Sequence, residues 1–120
     1  MERVQFITHK GVSILKVDLS HTASIDENID VLERAMATVG TRPPKSVLLL
    51  TDVTKAHFNP RGVEEMKKYS TFNTPYVKAS AVLGVVGLYR VIYEAIVKLT
   101  GRDIVCFDTE EQALDWLAAQ

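Results

Sequence analysis

Ser46–Gly62, SVLLLTDVTKAHFNPRG, decides the fold. Four aliphatic residues in a row, Val47 to Leu50, describe a strand buried on both faces, as in a parallel sheet with helices packed on it. Asp52 and a polar loop follow. Asn59 then suits a helix N-cap and Pro60 the first helical position. A buried strand that leads through a polar loop into a helix is half of a β-α-β unit. Polar residues just past the carboxyl end of such a strand sit where open α/β sheets bind ligands. The stretch therefore points to a fold class and a place to look for a site, but to no reaction.

Upstream, Val4–Thr8 and Val12–Leu19 are two strand candidates around His9-Lys10-Gly11, which reads as an antiparallel hairpin. Ser24–Val39 reads as a helix with an apolar stripe of Ile25, Ile29, Leu32, Met36 and Val39. Ser24 and Glu27 match a capping box, and Gly40 is a stop signal. Downstream, the helix opened by Asn59-Pro60 runs to about Phe72 and is stopped by Asn73-Thr74-Pro75. Phe58 and Val63 stand at the positions of a hydrophobic staple. Val77–Val86 contains a small aliphatic strand, and Gly87–Thr100 a third helix with a stripe of Leu88, Val91, Ile92, Ala95, Ile96 and Leu99. Ile104–Phe107 is a last strand. Thr109 and Gln112 cap a final helix, with Ala113, Leu114 and Leu117 facing in. The order β-β-α-β-α-β-α-β-α predicts an α/β fold: one small mixed sheet of about five strands, an N-terminal hairpin followed by parallel β-α units, and four helices.

The chain has 120 residues, the size of one domain, with no linker or repeat, so residues 1–120 are expected to form a single domain. Its hydrophobic fraction of 47% and charged fraction of 24% are ordinary for a globular protein. Cys106 stands alone, which excludes an internal disulfide. No apolar run has the length of a membrane span and no signal core opens the chain, so a cytoplasmic location is expected. A net charge of −1 argues against nucleic acid as a partner. Basic residues outnumber acidic ones between Lys55 and Phe107, whereas the segment from Asp108 onward carries only acids. That asymmetry fits solvated helix faces or a modest basic face near the 46–62 loop.

Three segments, LLLTDVT (48–54), KKYSTFNTPYVKASAVLGVVGL (67–88) and GRDIVCFDTEEQALDWL (101–117), together with the element order, resemble the STAS family of sulfate-transporter and anti-sigma-factor-antagonist domains. The resemblance is strongest to its stand-alone bacterial branch, similar to the sporulation anti-sigma-factor antagonist, and covers nearly the whole chain. It implies a small mixed sheet flanked by helices and a protein that works by binding, without catalysis and without a cofactor. The wider fold is also similar to lipid-carrying domains of the Sec14 type. In the switch members of the family a phosphorylatable Ser or Thr stands at a helix N-terminus just before a Gly. Here that place reads Asn59-Pro60-Arg61-Gly62, with no hydroxyl, and the loop is about one residue shorter. The phosphoserine switch is therefore not carried over.

Two groups of residues are candidate sites. Asp52, Thr54, His57, Asn59 and Arg61 share one strand-to-helix connection, and Arg90 opens the next helix. With Lys55 they could hold an anionic ligand or an acidic partner patch at the carboxyl edge of the sheet. The plainer reading is that Asp52 and Asn59 satisfy turn backbone while the cations are solvated. Tyr69, Phe72, Tyr89 and Tyr93 form the second group, either a partner face or the wall of an apolar pocket. Gly84 to Gly87 lacks the length and Lys-Ser/Thr of a phosphate loop, and its glycines read as a place of tight packing. His9, His21 and His57 have no ligand spacing, so no metal is expected. The sequence thus points to a binding module for a protein partner or small-molecule ligand. A carrier of a small apolar or lipid-like ligand is the alternative, and a homodimer is left open.

Overall fold

A computed structural model describes residues 2–57, 59–86, 88–100 and 104–120, leaving aside the side chains of Leu88, Tyr89, Ile92, Ile96, Leu99 and Thr100. Its elements run β1 (Val4–His9), β2 (Val12–Asp18), α1 (Ile25–Val39), β3 (Val47–Asp52), α2 (Pro60–Asn73), β4 (Val77–Leu83), α3 (Leu88–Thr100), β5 (Ile104–Phe107) and α4 (Glu110–Ala118). The five strands form one sheet in the order β1-β2-β3-β4-β5. β1 and β2 are antiparallel, and every later pair is parallel. The expected α/β fold, with β3 at the centre of the sheet, is what forms.

Strand order equals chain order, and this decides where the helices go. Right-handed crossovers that all step in one direction deliver their helices to one face. Accordingly α1, α2 and α3 share a core with Leu15, Val17, Val47, Leu49 and Val82 through Val31, Leu32, Ala35, Tyr69 and Tyr93. The other face, Ile14, Leu48, Leu50, Ala79, Ala81 and Leu83, is closed by α4 through Ala113 and Leu117. β3 alternates between these two cores, which is why Val47 to Leu50 are all buried. A register shift at Val47/Leu48 sends Val77 to the three-helix core and Ala79 to the α4 core.

The helix starts are where the sequence puts them. Ser24 Oγ accepts from the Glu27 N–H at 3.2 Å, Asn59 Oδ1 from Gly62 at 2.9 Å and Thr109 Oγ1 from Gln112 at 3.2 Å. The staple expected from Phe58 falls outside the described residues. Two stripes differ from expectation. In α1 the buried positions are Ile25, Asn28, Val31, Leu32, Ala35 and Val39, while Ile29 and Met36 are half-buried. In α3, Val91 and Ala95 are exposed, and Tyr93 and Val97, expected away from the core stripe, are half-buried. Both helices have apolar residues on two adjacent stripes, so the period alone did not select the inward one. Gly40 ends α1 with a right-handed φ of −63°, and its lack of a side chain serves a different need. A Cβ there would lie 3.3 Å from the ring of Phe72.

Candidate functional site

The β3–α2 connection holds most of the polar candidate residues. At its start Asp52 Oδ1 accepts from the Thr54 backbone N–H at 3.0 Å and from the Thr54 hydroxyl at 2.6 Å. This folds Asp52-Val53-Thr54 into a tight carboxylate-closed turn. The loop is then tied to its neighbours. His21 N–H donates to Thr54 O at 3.0 Å, Val53 N–H to Leu83 O at 2.9 Å and His57 N–H to Thr22 Oγ1 at 3.1 Å. The amide Nδ2 of buried Asn28, in α1, donates to His57 O. Gly84, at φ +83°, lets the chain after β4 pass directly over Thr54, where any Cβ would lie 2.3 Å from the hydroxyl and 2.5 Å from the backbone. Gly84 therefore fulfils the expected role of tight packing, and Gly87 falls outside the described residues.

The candidate residues divide between the two faces of this edge. Asp52 follows Leu48 and Leu50 by the strand period, so it stands on the α4 side. His57 and Arg61 stand toward α1, Asn59 caps α2, and all three are exposed. Arg61 Nη1 pairs with Asp26 Oδ1 at 3.2 Å, which joins the first turns of α2 and α1. Such an exposed pair contributes about 0.2–1 kcal/mol. Arg90 pairs with Glu94 along α3 at 3.8 Å and borders a shallow groove with Tyr93, Lys98 and Val105 beside β5. Arg61 thus turns toward α1 and Arg90 toward the β5 edge. With its strands in chain order, the sheet also has no point where the order reverses, the feature that opens a ligand crevice in doubly wound sheets.

The aromatic group divides as well. Tyr69 and Tyr93 border the same small cavity, about 30 Å³, with Leu49, Met66 and Val82. The Tyr69 hydroxyl lies 3.1 Å from Thr51 Oγ1. Room for a water starts at about 10–15 Å³, so the space is of solvent size, not lipid size. Phe72 lies elsewhere, 41% exposed, and stacks on Tyr76 with centroids 5.7 Å apart. The side chain of Tyr89 is outside the described residues. Among the described residues there is no group of three or more His, Cys, Asp or Glu placed to hold a metal, and no helix long and apolar enough to cross a membrane.

Sequence reasoning missed the partner of Asp52. Asp18 is its register neighbour on β2 and makes the same turn, accepting from Ser20 N–H at 2.8 Å and the Ser20 hydroxyl at 2.5 Å. The signal was legible as a repeated Asp-x-Ser/Thr at the end of adjacent strands, Asp18-Leu19-Ser20 and Asp52-Val53-Thr54. Arg3 braces the first turn, donating to Asp18 O at 3.1 Å and Ser20 O at 2.9 Å. Lys16 lies on the same face, 2.5 Å from Glu110 Oε1. Burial works against its charge, but Glu110, Asp18 and Asp52 together outweigh that and hold its pKa above the ordinary lysine value. At Cys106 burial dominates and raises the thiol pKa, which keeps it protonated and unreactive at neutral pH. Comparison with protein-family models, with curated proteins and with solved structures finds no match for this chain.

Proposed function

We propose that this chain is a non-enzymatic, STAS-like binding module that engages a protein partner or a small anionic ligand through the β3–α2 loop and the first turn of α2. The observation that carries this reading is the bracing of the loop. Its backbone is held by Thr22, Asn28 and Leu83 and is closed over by Gly84, while Lys55, His57, Asn59 and Arg61 all remain exposed. A loop fixed before binding loses little conformational entropy when a partner arrives. The groups that would carry chemistry are engaged in structure instead: Asp52 and the Thr54 hydroxyl close a turn on each other. The family's phosphoserine position is filled by Asn59-Pro60-Arg61-Gly62, so binding here would be governed without that modification.

Two arms test the proposal. Amide NMR during a titration with inorganic phosphate should move Lys55, His57 and Arg61 first if the ligand is a small anion. Affinity capture from native extract with the parent chain and with a Lys55→Glu, Arg61→Glu variant should show a stoichiometric partner lost in the variant. If phosphate moves none of these amides and every captured partner is kept by the variant, the loop is not the binding surface.

A further inference from the structure

We propose that the β5 edge, roofed by α3, takes an extended peptide as a sixth strand, and that the peptide it selects carries acidic side chains at positions i and i+4. The slot follows from two spacings. Strands lie about 4.8 Å apart, so β1 and β5 are about 19 Å apart. Helices packed side by side lie about 8–10 Å apart, so α1 and α3, with α2 between them, are about 16–20 Å apart. α1 covers β1 as well as β2, since Val4 packs on the three-helix core. Counted from there, the axis of α3 falls over β5 or just beyond it. The outer flank of the helix, with a radius of about 5–6 Å, then overhangs by one strand spacing. Ile104 and Cys106 face this helix yet stay half-buried, and a groove of about 430 Å³ lies between them and Tyr93 and Val97.

The floor of the slot decides the kind of occupant. Among the described residues no strand lies beyond β5. β5 pairs in parallel with β4, so alternate residues direct their N–H and C=O away from the sheet. A row of such groups is answered by another extended main chain. Ile104–Phe107 contains no proline, lysine or glycine to blunt it. The roof decides the sequence. The stripe of α3 that lines the groove begins at Arg90 and ends at Lys98. Eight residues of helix span about 12 Å. Four residues of strand span about 13 Å, and positions i, i+2 and i+4 project to one side. Acidic side chains at i and i+4 therefore reach Arg90 and Lys98 together, and the side chain at i+2 lies between them on Tyr93. Tyr93 and Ile104 also border the small cavity behind the groove, so a branched apolar residue of valine size suits i+2. Among the described residues no carboxylate pairs with Lys98, and Arg90 is held along its own helix by Glu94 at 3.8 Å, with both side chains exposed. A pair of that kind is weak and yields to a carboxylate delivered by a bound strand.

The test uses the whole chain and an end-blocked synthetic peptide, Thr-Glu-Thr-Val-Thr-Glu-Thr, at neutral pH. Amide NMR during the titration should move the signals of Ile104–Phe107, and saturating peptide should slow their hydrogen exchange. The same peptide with lysine in place of both glutamates should not bind. Lys98→Glu should weaken the glutamate peptide several-fold. Glu94→Gln releases Arg90 and should tighten it, which a purely structural Arg90–Glu94 pair does not do. A glutamate peptide that leaves the β5 amides unmoved at millimolar concentration overturns the proposal. So does equal binding of the lysine peptide, or a Lys98→Glu variant that binds as the parent does. A Glu94→Gln variant that binds no tighter overturns the role of Arg90. If the β5 amides of the parent alone become protected as its own concentration rises, a second copy occupies the edge and the peptide proposal fails.

Discussion

Replacing Gly84 by alanine is expected to be among the most damaging single-methyl additions to this protein, and the size of the effect can be worked from its surroundings. The residue sits at φ +83°, where a side chain costs about 1–2 kcal/mol through contact with its own carbonyl. The added Cβ would also lie 2.3 Å from Thr54 Oγ1 and 2.5 Å from Thr54 N and Cα. Those atoms cannot retreat freely. Thr54 N–H is bonded to Asp52 at 3.0 Å and its carbonyl to His21 at 3.0 Å. Overpacking against fixed atoms adds about 1–3 kcal/mol. The sum is about 2–5 kcal/mol, a large part of the roughly 5–15 kcal/mol that holds a domain folded. Gly11→Ala supplies the control. Gly11 also has positive φ, +78°, but nothing stands within 4 Å of its Cβ position, so only the conformational cost applies. Urea unfolding of the two variants should therefore differ by about 2 kcal/mol at equal m-values. Equal losses for Gly84→Ala and Gly11→Ala would show that the two loops do not touch as described, and the bracing of the candidate site would go with them.

Asn59→Ala should lower stability by about 1 kcal/mol, measured as a shift of the denaturant midpoint, because the Gly62 N–H loses its cap. An unchanged midpoint would mean that α2 does not begin where described. A pH effect follows at the α4 side. The His9 ring nitrogen, 2.7 Å away, and then the Lys10 ammonium hold the Asp115 carboxyl below its ordinary 3.8. A carboxyl with a depressed folded pKa stabilises above its unfolded value and loses that contribution as pH falls through the folded one. The Asp115 carbon resonance should accordingly titrate below 3.8 in the parent and move up toward it in His9→Ala. An unmoved midpoint would exclude the His9 contact.

Element order and most helix starts were legible because their signals are local. Caps such as Asn59 and Thr109 act within one turn, and the run Val47 to Leu50 can be buried only between two layers. The facing of α1 was legible in part, since Ile25, Leu32 and Val39 are buried as expected, whereas in α3 the expected Val91 and Ala95 are exposed. Each offers two adjacent apolar stripes, and the choice between them is made by the sheet they pack on, far away in sequence. The geometry of the candidate loop was legible, since both the Asp52 turn and the Asn59 cap lie within one short stretch. Its electrostatics were not. The Asp26 carboxylate that occupies Arg61 comes from the preceding helix, and the glycine that closes over Thr54 comes from the following strand. Pairings between distant segments leave no periodic trace.

The placement of α4 bears on how the chain emerges during synthesis. Because strands join the sheet in the order they are made, each new strand can dock on the edge just completed, and three helices cover one side as they appear. The reverse side has no cover until Ala113 and Leu117, near the end of the 120 residues, leave the ribosome. Ile14, Leu48, Leu50, Ala81 and Leu83 then face water as one apolar surface on an otherwise formed sheet. At about 5–20 residues per second this window lasts seconds, long enough for a chaperone to read it. A nascent chain arrested before Ala113 should accordingly be a better chaperone client than one arrested before Val77, despite having more of its structure in place.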